Sequence, residues 1–161
     1  MEEELTQEEL DERIAILKRF RSLLEMQRAK FNEYLKVLEL QEQSISLEDA
    51  EAIFAHSELE NQIVSNIASL QKVIVPMEKL YRTSNAATYN PLESKPVSTI
   101  QQELESLKLQ VQNQNQKNQD LLRMHMTELR QQLGSLRNPY KYNRSVYAES
   151  VVAGSLMNIE A

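Results

Sequence analysis

The sequence predicts an all-α protein: an elongated antiparallel bundle of three long helices with coiled-coil packing, followed by a C-terminal tail or short fourth helix. Three observations carry this prediction. The 161 residues include only two glycines and four prolines, so turns are few and the elements between them long. Leu10, Leu17, Leu24, Phe31 and Leu38 recur every seven residues, the spacing of a coiled-coil seam. Three capping signatures, opening at Thr6, Ser46 and Ser98, each precede a long amphipathic stretch.

The first helix spans about 7–41. Thr6 and Glu9 fit a capping box, in which the hydroxyl and the carboxylate each satisfy the other residue's backbone N–H. Ile14 and Leu35 supply a second seam position, and Phe20, Leu23, Tyr34 and Val37 broaden the stripe. A stripe this wide suits a bundle better than an isolated two-stranded coil. The stretch QEQSIS breaks the pattern. Ser46-Leu47-Glu48-Asp49 then caps a second helix over about 47–81. Its apolar face carries Ile53, Ile63, Ile67, Leu70, Ile74 and Met77, widened by Ala52, Leu59, Val73 and Leu80. Pro76 lacks a backbone donor and is expected to bend or end this helix near 73–75.

Residues 82–98 read as a linker, since Asn, Ser, Thr and two prolines replace the periodicity. A third helix follows over about 99–137, with Ile100, Leu104, Leu107, Val111, Leu121, Leu122, Leu129, Leu133 and Leu136 as its seam. Its middle, QVQNQNQKNQ, is nearly all amide. Gln114 and Asn118 stand where the seam calls for apolar residues, and His125 does the same further on. Two readings compete: a solvated face, or a structural polar layer of Asn115, Asn118 and His125 that sets register. The reading adopted puts Asn118 inward and the neighbouring glutamines outward. On that reading, Asn118→Leu should raise thermal stability. Residues 1–137 thus form the bundle domain and 138–161 an apolar tail.

Composition excludes much chemistry. There is no cysteine, and only His56 and His125 could serve as imidazole ligands, so no zinc site is expected. Neither histidine has a glutamate three residues before it, as a helical di-iron site requires. Two glycines cannot build a phosphate loop. His56 and Glu60, four apart on one face, read either as an acid–base pair or as a paired core histidine, and the second is favoured. No enzyme activity and no cofactor are expected. The net charge of −6 comes with scattered lysines and arginines, so no nucleic-acid partner is expected. No apolar run reaches the roughly 20 residues of a membrane span. The acidic MEEELTQEEL lacks the apolar segment of a signal peptide. These features together predict a cytoplasmic protein.

The tail, NPYKYNRSVYAESVVAGSLMNIEA, stands apart. Asn138-Pro139 stops the third helix, and half of the six tyrosines follow. Such clustered apolar residues mark an interaction site when exposed, and the alternative is a short helix folded back on the bundle. The candidate partner-binding residues are Tyr140, Tyr142, Val146, Tyr147, Val151, Val152, Leu156 and Ile159.

Three segments resemble the FlgN family of flagellar type III export chaperones. SISLEDAEAI is similar to that family's break between its first two long helices. NQNQKNQDLL resembles its Asn-x-x-Asn-x-x-Leu-Leu, here Asn115, Asn118, Leu121 and Leu122. LGSLRNPYKYNRSVYA resembles its passage from helix to a tyrosine-containing segment, with Tyr147 at that place. The resemblance implies a cytoplasmic chaperone that binds the hook-associated proteins of the hook–filament junction, keeps them soluble and hands them to the export apparatus. It also implies a substrate held by the C-terminal region, without nucleotide or metal. The stretch beyond Arg137 is longer than in shorter members of that family. Tail-mediated self-association is a further expectation. The alternative reading is a structural coiled-coil scaffold or homo-oligomer, supported by the clean heptads of the first helix.

Overall fold

The computed structural model describes residues 5–84, 86 and 96–135. They form three long helices: α1 (Gln7–Ser46), α2 (Ala50–Thr83) and α3 (Val97–Ser135). The fold is an all-α helical bundle. The tail 138–161 and most of the linker lie outside the described residues.

α1 opens on the expected capping box. Glu9 N–H donates to Thr6 Oγ1 at 3.3 Å, and Thr6 N–H donates to Glu9 Oε2 at 2.9 Å. The bond from the Thr6 backbone also holds the Glu9 carboxyl below its ordinary range. α1 does not end near 41. Gln41, Ser44 and Ile45 are buried and continue its inner stripe, so packing carries the helix through to Ser46. It closes in a Schellman motif: Asp49 N–H donates to Ser44 O and Glu48 N–H to Ile45 O. Glu48 takes the left-handed position at φ 54°, where glycine is usual. The cap of α2 is accordingly Asp49 and not Ser46; Ala52 N–H donates to Asp49 Oδ1 at 3.1 Å.

α2 neither stops at 73–75 nor at 81. It runs through Pro76 to Thr83. Proline removes the donor that would meet the Lys72 carbonyl, but Lys72 and Pro76 are both exposed, so water can take its place. α3 starts at Val97, two residues before the predicted start; Thr99 and Ile100 N–H both donate to Pro96 O.

The chain divides into two compact units, each drawing a stretch from all three helices. The first comprises Met1–Asn32 with Ser65–Leu107. Leu17, Phe20, Leu24, Phe31, Ile67, Ile74, Ile100 and Leu104 are buried in it. Phe20 lies against Tyr81 with ring centroids 4.7 Å apart, and Arg28 forms an ion pair with Glu103.

Among the described residues, the second comprises Glu33–Val64 with α3 from Lys108 onward. Its pairs Tyr34–Glu60 and Gln41–Ser57 run α1 against α2 in opposite directions. Its pairs Leu38–Asn118 and Glu48–His125 run α1 and α3 in the same direction.

The second seam position of α1 differs from the expectation. Ile14 and Leu35 are only half-buried. The buried positions are Phe20, Gln27, Tyr34 and Gln41, again seven apart. On α2, Leu59, Val73 and Leu80 are exposed, and Ser57 and Glu60 occupy the buried face. On α3, Leu129 and Leu133 are exposed. His125 lies level with Glu48, in the turn where α1 ends, so the residues beyond it run past that turn.

The cap assignment has a direct check. Asp49→Ala should lower stability in urea unfolding by about 1 kcal/mol, while Ser46→Ala should stay within about 0.5 kcal/mol. The opposite order would return the cap to Ser46.

Candidate functional site

The second unit carries a buried polar layer that ties all three helices together. Glu60 on α2 is fully buried. Its Oε1 accepts from the Tyr34 hydroxyl at 3.0 Å, and its Oε2 from Gln41 Nε2 at 3.3 Å. Gln41 Nε2 also donates to Ser57 Oγ at 3.2 Å, and Ser57 Oγ donates in turn to Ile53 O at 2.9 Å. From α3, Asn118 Nδ2 donates to Leu38 O at 2.7 Å and to Gln41 Oε1 at 3.2 Å. Asn118 Oδ1 accepts from Gln114 Nε2 at 2.9 Å. Gln114 also donates to Glu42, whose other oxygen pairs with Lys117 Nζ at 2.6 Å.

Both helical spacings make this layer possible. Tyr34 and Gln41 are seven apart on α1, and Ser57 and Glu60 are three apart on α2, so each pair shares one face. On α3, Gln114 and Asn118 are four apart and stack.

The electrostatics follow from burial. Removal from water pushes the Glu60 carboxyl above its ordinary range, against the lowering effect of the bonds from Tyr34 and Gln41. Burial, then the adjacent Glu60 charge, pushes the Tyr34 phenol well above the usual tyrosine range. Glu42, near the surface, is lowered by the bonds from Lys117 and Gln114.

Of the residues singled out in the sequence, Asn118 is buried inside the layer. Asn115 is half-buried, and its Oδ1 is enclosed without a hydrogen-bond partner. His125 is also half-buried and is tied to Glu48 through Nδ1 at 3.1 Å. His56 and Glu60 do not pair with each other. His56 Nδ1 meets Ser44 Oγ at 2.9 Å, and Glu60 turns to Tyr34 and Gln41. The tail positions Tyr140, Tyr142, Val146, Tyr147, Val151, Val152, Leu156 and Ile159 lie outside the described residues.

Tyr34, Gln41, Ser57 and Glu60 were not marked as a polar set by the sequence pattern. The available signal was the register Phe20–Gln27–Tyr34–Gln41, which sets two amides in line with two aromatics.

A second feature is the surface of α3. Leu121, Leu122 and Met126 are half-buried, and Met124, Leu129 and Leu133 are exposed. A shallow groove borders the amide run, lined by Leu35 and Glu39 of α1 and Gln110, Asn113, Gln114 and Lys117 of α3. Glu48, His125 and Glu128 hold ligand-capable atoms within 4.8 Å of one another. Both carboxylates are exposed, and this is the arrangement among the described residues closest to a cation site. No helix among the described residues is long and apolar enough to cross a membrane.

A protein of Treponema pallidum (strain Nichols), bearing the description "Uncharacterized protein", is 36% identical to this chain over 133 residues. The match covers 83% of this chain and 82% of that protein. No family model and no solved structure matches the chain.

Two outcomes follow from the layer. Asn118→Leu should lower stability by about 1–2 kcal/mol, because Gln41 Oε1 loses its donor in a buried site. This reverses the rise expected from the sequence, and an increased melting midpoint would restore that view. The second outcome concerns pH. A raised Glu60 pKa makes its stabilising contribution complete below the ordinary value of 4.5. That contribution is lost as pH rises through the folded value. Wild type should therefore lose stability relative to Glu60→Gln as pH climbs from about 4. Urea midpoints that differ by the same amount at every pH would refute the assignment.

Proposed function

The chain belongs to the same family as the Treponema pallidum protein, and we propose that it is a cytoplasmic export chaperone of the FlgN type. It binds hook-associated proteins of the hook–filament junction, keeps them soluble and delivers them to the type III export apparatus. The observation that carries this reading is the amide run of α3, in which Asn115 and Asn118 lead into Leu121 and Leu122. It is the segment most similar to the FlgN pattern.

The chemistry of the chain is consistent with a binding module. Beyond the amide run, α3 exposes Met124, Leu129 and Leu133, and the apolar tail follows in sequence. An amphipathic partner helix can lay its apolar face on such a surface. In this reading Tyr140, Tyr147, Val151, Val152, Leu156 and Ile159 anchor the partner. The polar residues closest to a catalytic grouping, Tyr34, Ser57 and Glu60, are buried, with Tyr34 donating to Glu60 and Ser57 held between Gln41 and Ile53 O. They act as structural groups.

A coiled-coil scaffold has less support. Leu17, Leu24, Phe31 and Leu38, the seam such a scaffold would offer to another chain, are already buried within this one.

The test is a pull-down from the native cytoplasm with the intact chain and with a form ending at residue 137. Capture of a hook–filament junction protein by the intact chain, lost on truncation, is the expected result. Recovery of no flagellar protein by the intact chain would overturn the reading.

A further inference from the structure

The buried apolar residues of α3 are Val97, Ile100, Leu104 and Val111. They stop at Val111. Over the next 24 residues, Asn118 is the one buried residue. The anchorage changes character at the same point. After Val111 the helix is tied to α1 and its following turn through Asn118 on Leu38 and Gln41, Gln114 and Lys117 on Glu42, and His125 on Glu48. Contacts near the surface such as those of Lys117 with Glu42 and of His125 with Glu48 contribute little. Buried apolar side chains contribute far more. One helix is thus held by two kinds of bond along its length.

We propose that Gln112–Ser135 is a polar-latched strap, which releases from α1 as a unit while Val97–Val111 stays docked. Asn118 is the latch, since its amide is the buried tie between this stretch and the hairpin. Local openings of this kind draw on stretches with few buried apolar contacts. Release uncovers the α1 face at Leu38 and Gln41 without unfolding the rest of the chain. The proposal stands apart from the chaperone reading and survives its failure.

Native-state amide hydrogen exchange on the full chain, followed residue by residue in low denaturant, tests the strap. Amides of 112–125 should share one opening equilibrium and exchange at least tenfold faster than those of 97–111. Equal protection along α3 would overturn the proposal. So would protection that declines gradually from Ser135 inward, which is simple fraying of a helix end. Asn118→Ala should speed exchange across 112–125 by a further tenfold or more, leaving 97–111 and the α1–α2 hairpin unchanged. No acceleration, or equal acceleration in all three helices, would remove Asn118 as the latch.

Discussion

The docking of α3 in the second unit turns on the amide of Asn118. It donates to Leu38 O and Gln41 Oε1 and accepts from Gln114. A heptad seam by itself sets the face of a helix but not its height. The α3 seam reads Val97, Leu104, Val111, Asn118, His125 at intervals of seven. If every member were apolar, sliding α3 by one heptad would exchange one hydrophobic contact for another of similar worth. With Asn118 in place, the same slide buries an amide without partners and strips Gln41 Oε1 of its donor. Each loss costs about 1–3 kcal/mol. The polar layer therefore excludes the neighbouring registers more strongly than it favours the native one.

The same argument applies between α1 and α2. Ile53, Glu60, Ile67 and Ile74 form a seven-residue series on α2 in which Glu60 is the one polar member. On α1, Tyr34 and Gln41 are spaced to reach both its oxygens. Displacement by a heptad toward the C-terminus of α1 would set the buried carboxyl level with Glu48 in place of Tyr34, losing the hydroxyl bond and adding a second carboxylate. Because Gln41 belongs to both sets, the α1–α2 register and the α1–α3 register are fixed by one side chain. Its Nε2 serves α2 and its Oε1 serves α3.

The three helices were legible because their signals are local: spacing, caps and few breakers. Thr6 and Glu9 paired as the motif predicts. The α1–α2 turn was misplaced because its stop signal is a glutamate in a left-handed conformation, where glycine is the residue a sequence reader looks for. Ser46-Leu47-Glu48-Asp49 contains two capping residues, and the choice between them was made by the burial of Ser44 and Ile45, a tertiary effect. Asn118 was legible as an inward residue because it interrupts an apolar series. Glu60 and Gln41 were not, because glutamate and glutamine are ordinarily solvated. Their one signal was a seven-residue spacing from buried residues, Gln41 from Tyr34 and Glu60 from Ile53 and Ile67, which Gln43 and Glu58 lack.

The layer also explains why α3 carries its apolar residues in two separate sets. In the first set Val97, Ile100, Leu104 and Val111 are buried. Beyond Leu121 the leucines within α3 fall at 122, 129 and 133, whereas the packed series of Val111, Asn118 and His125 would continue at 128 and 132, which are Glu128 and Gln132. The apolar stripe has rotated off the packed face. A helix that needed only to close its own bundle would keep its leucines on one line to the end. Here the packed line turns polar at Asn118, and the exposed Leu129 and Leu133 follow His125, which is level with the turn after α1. The amide run is the point at which α3 passes from holding the bundle together to presenting apolar surface outside it.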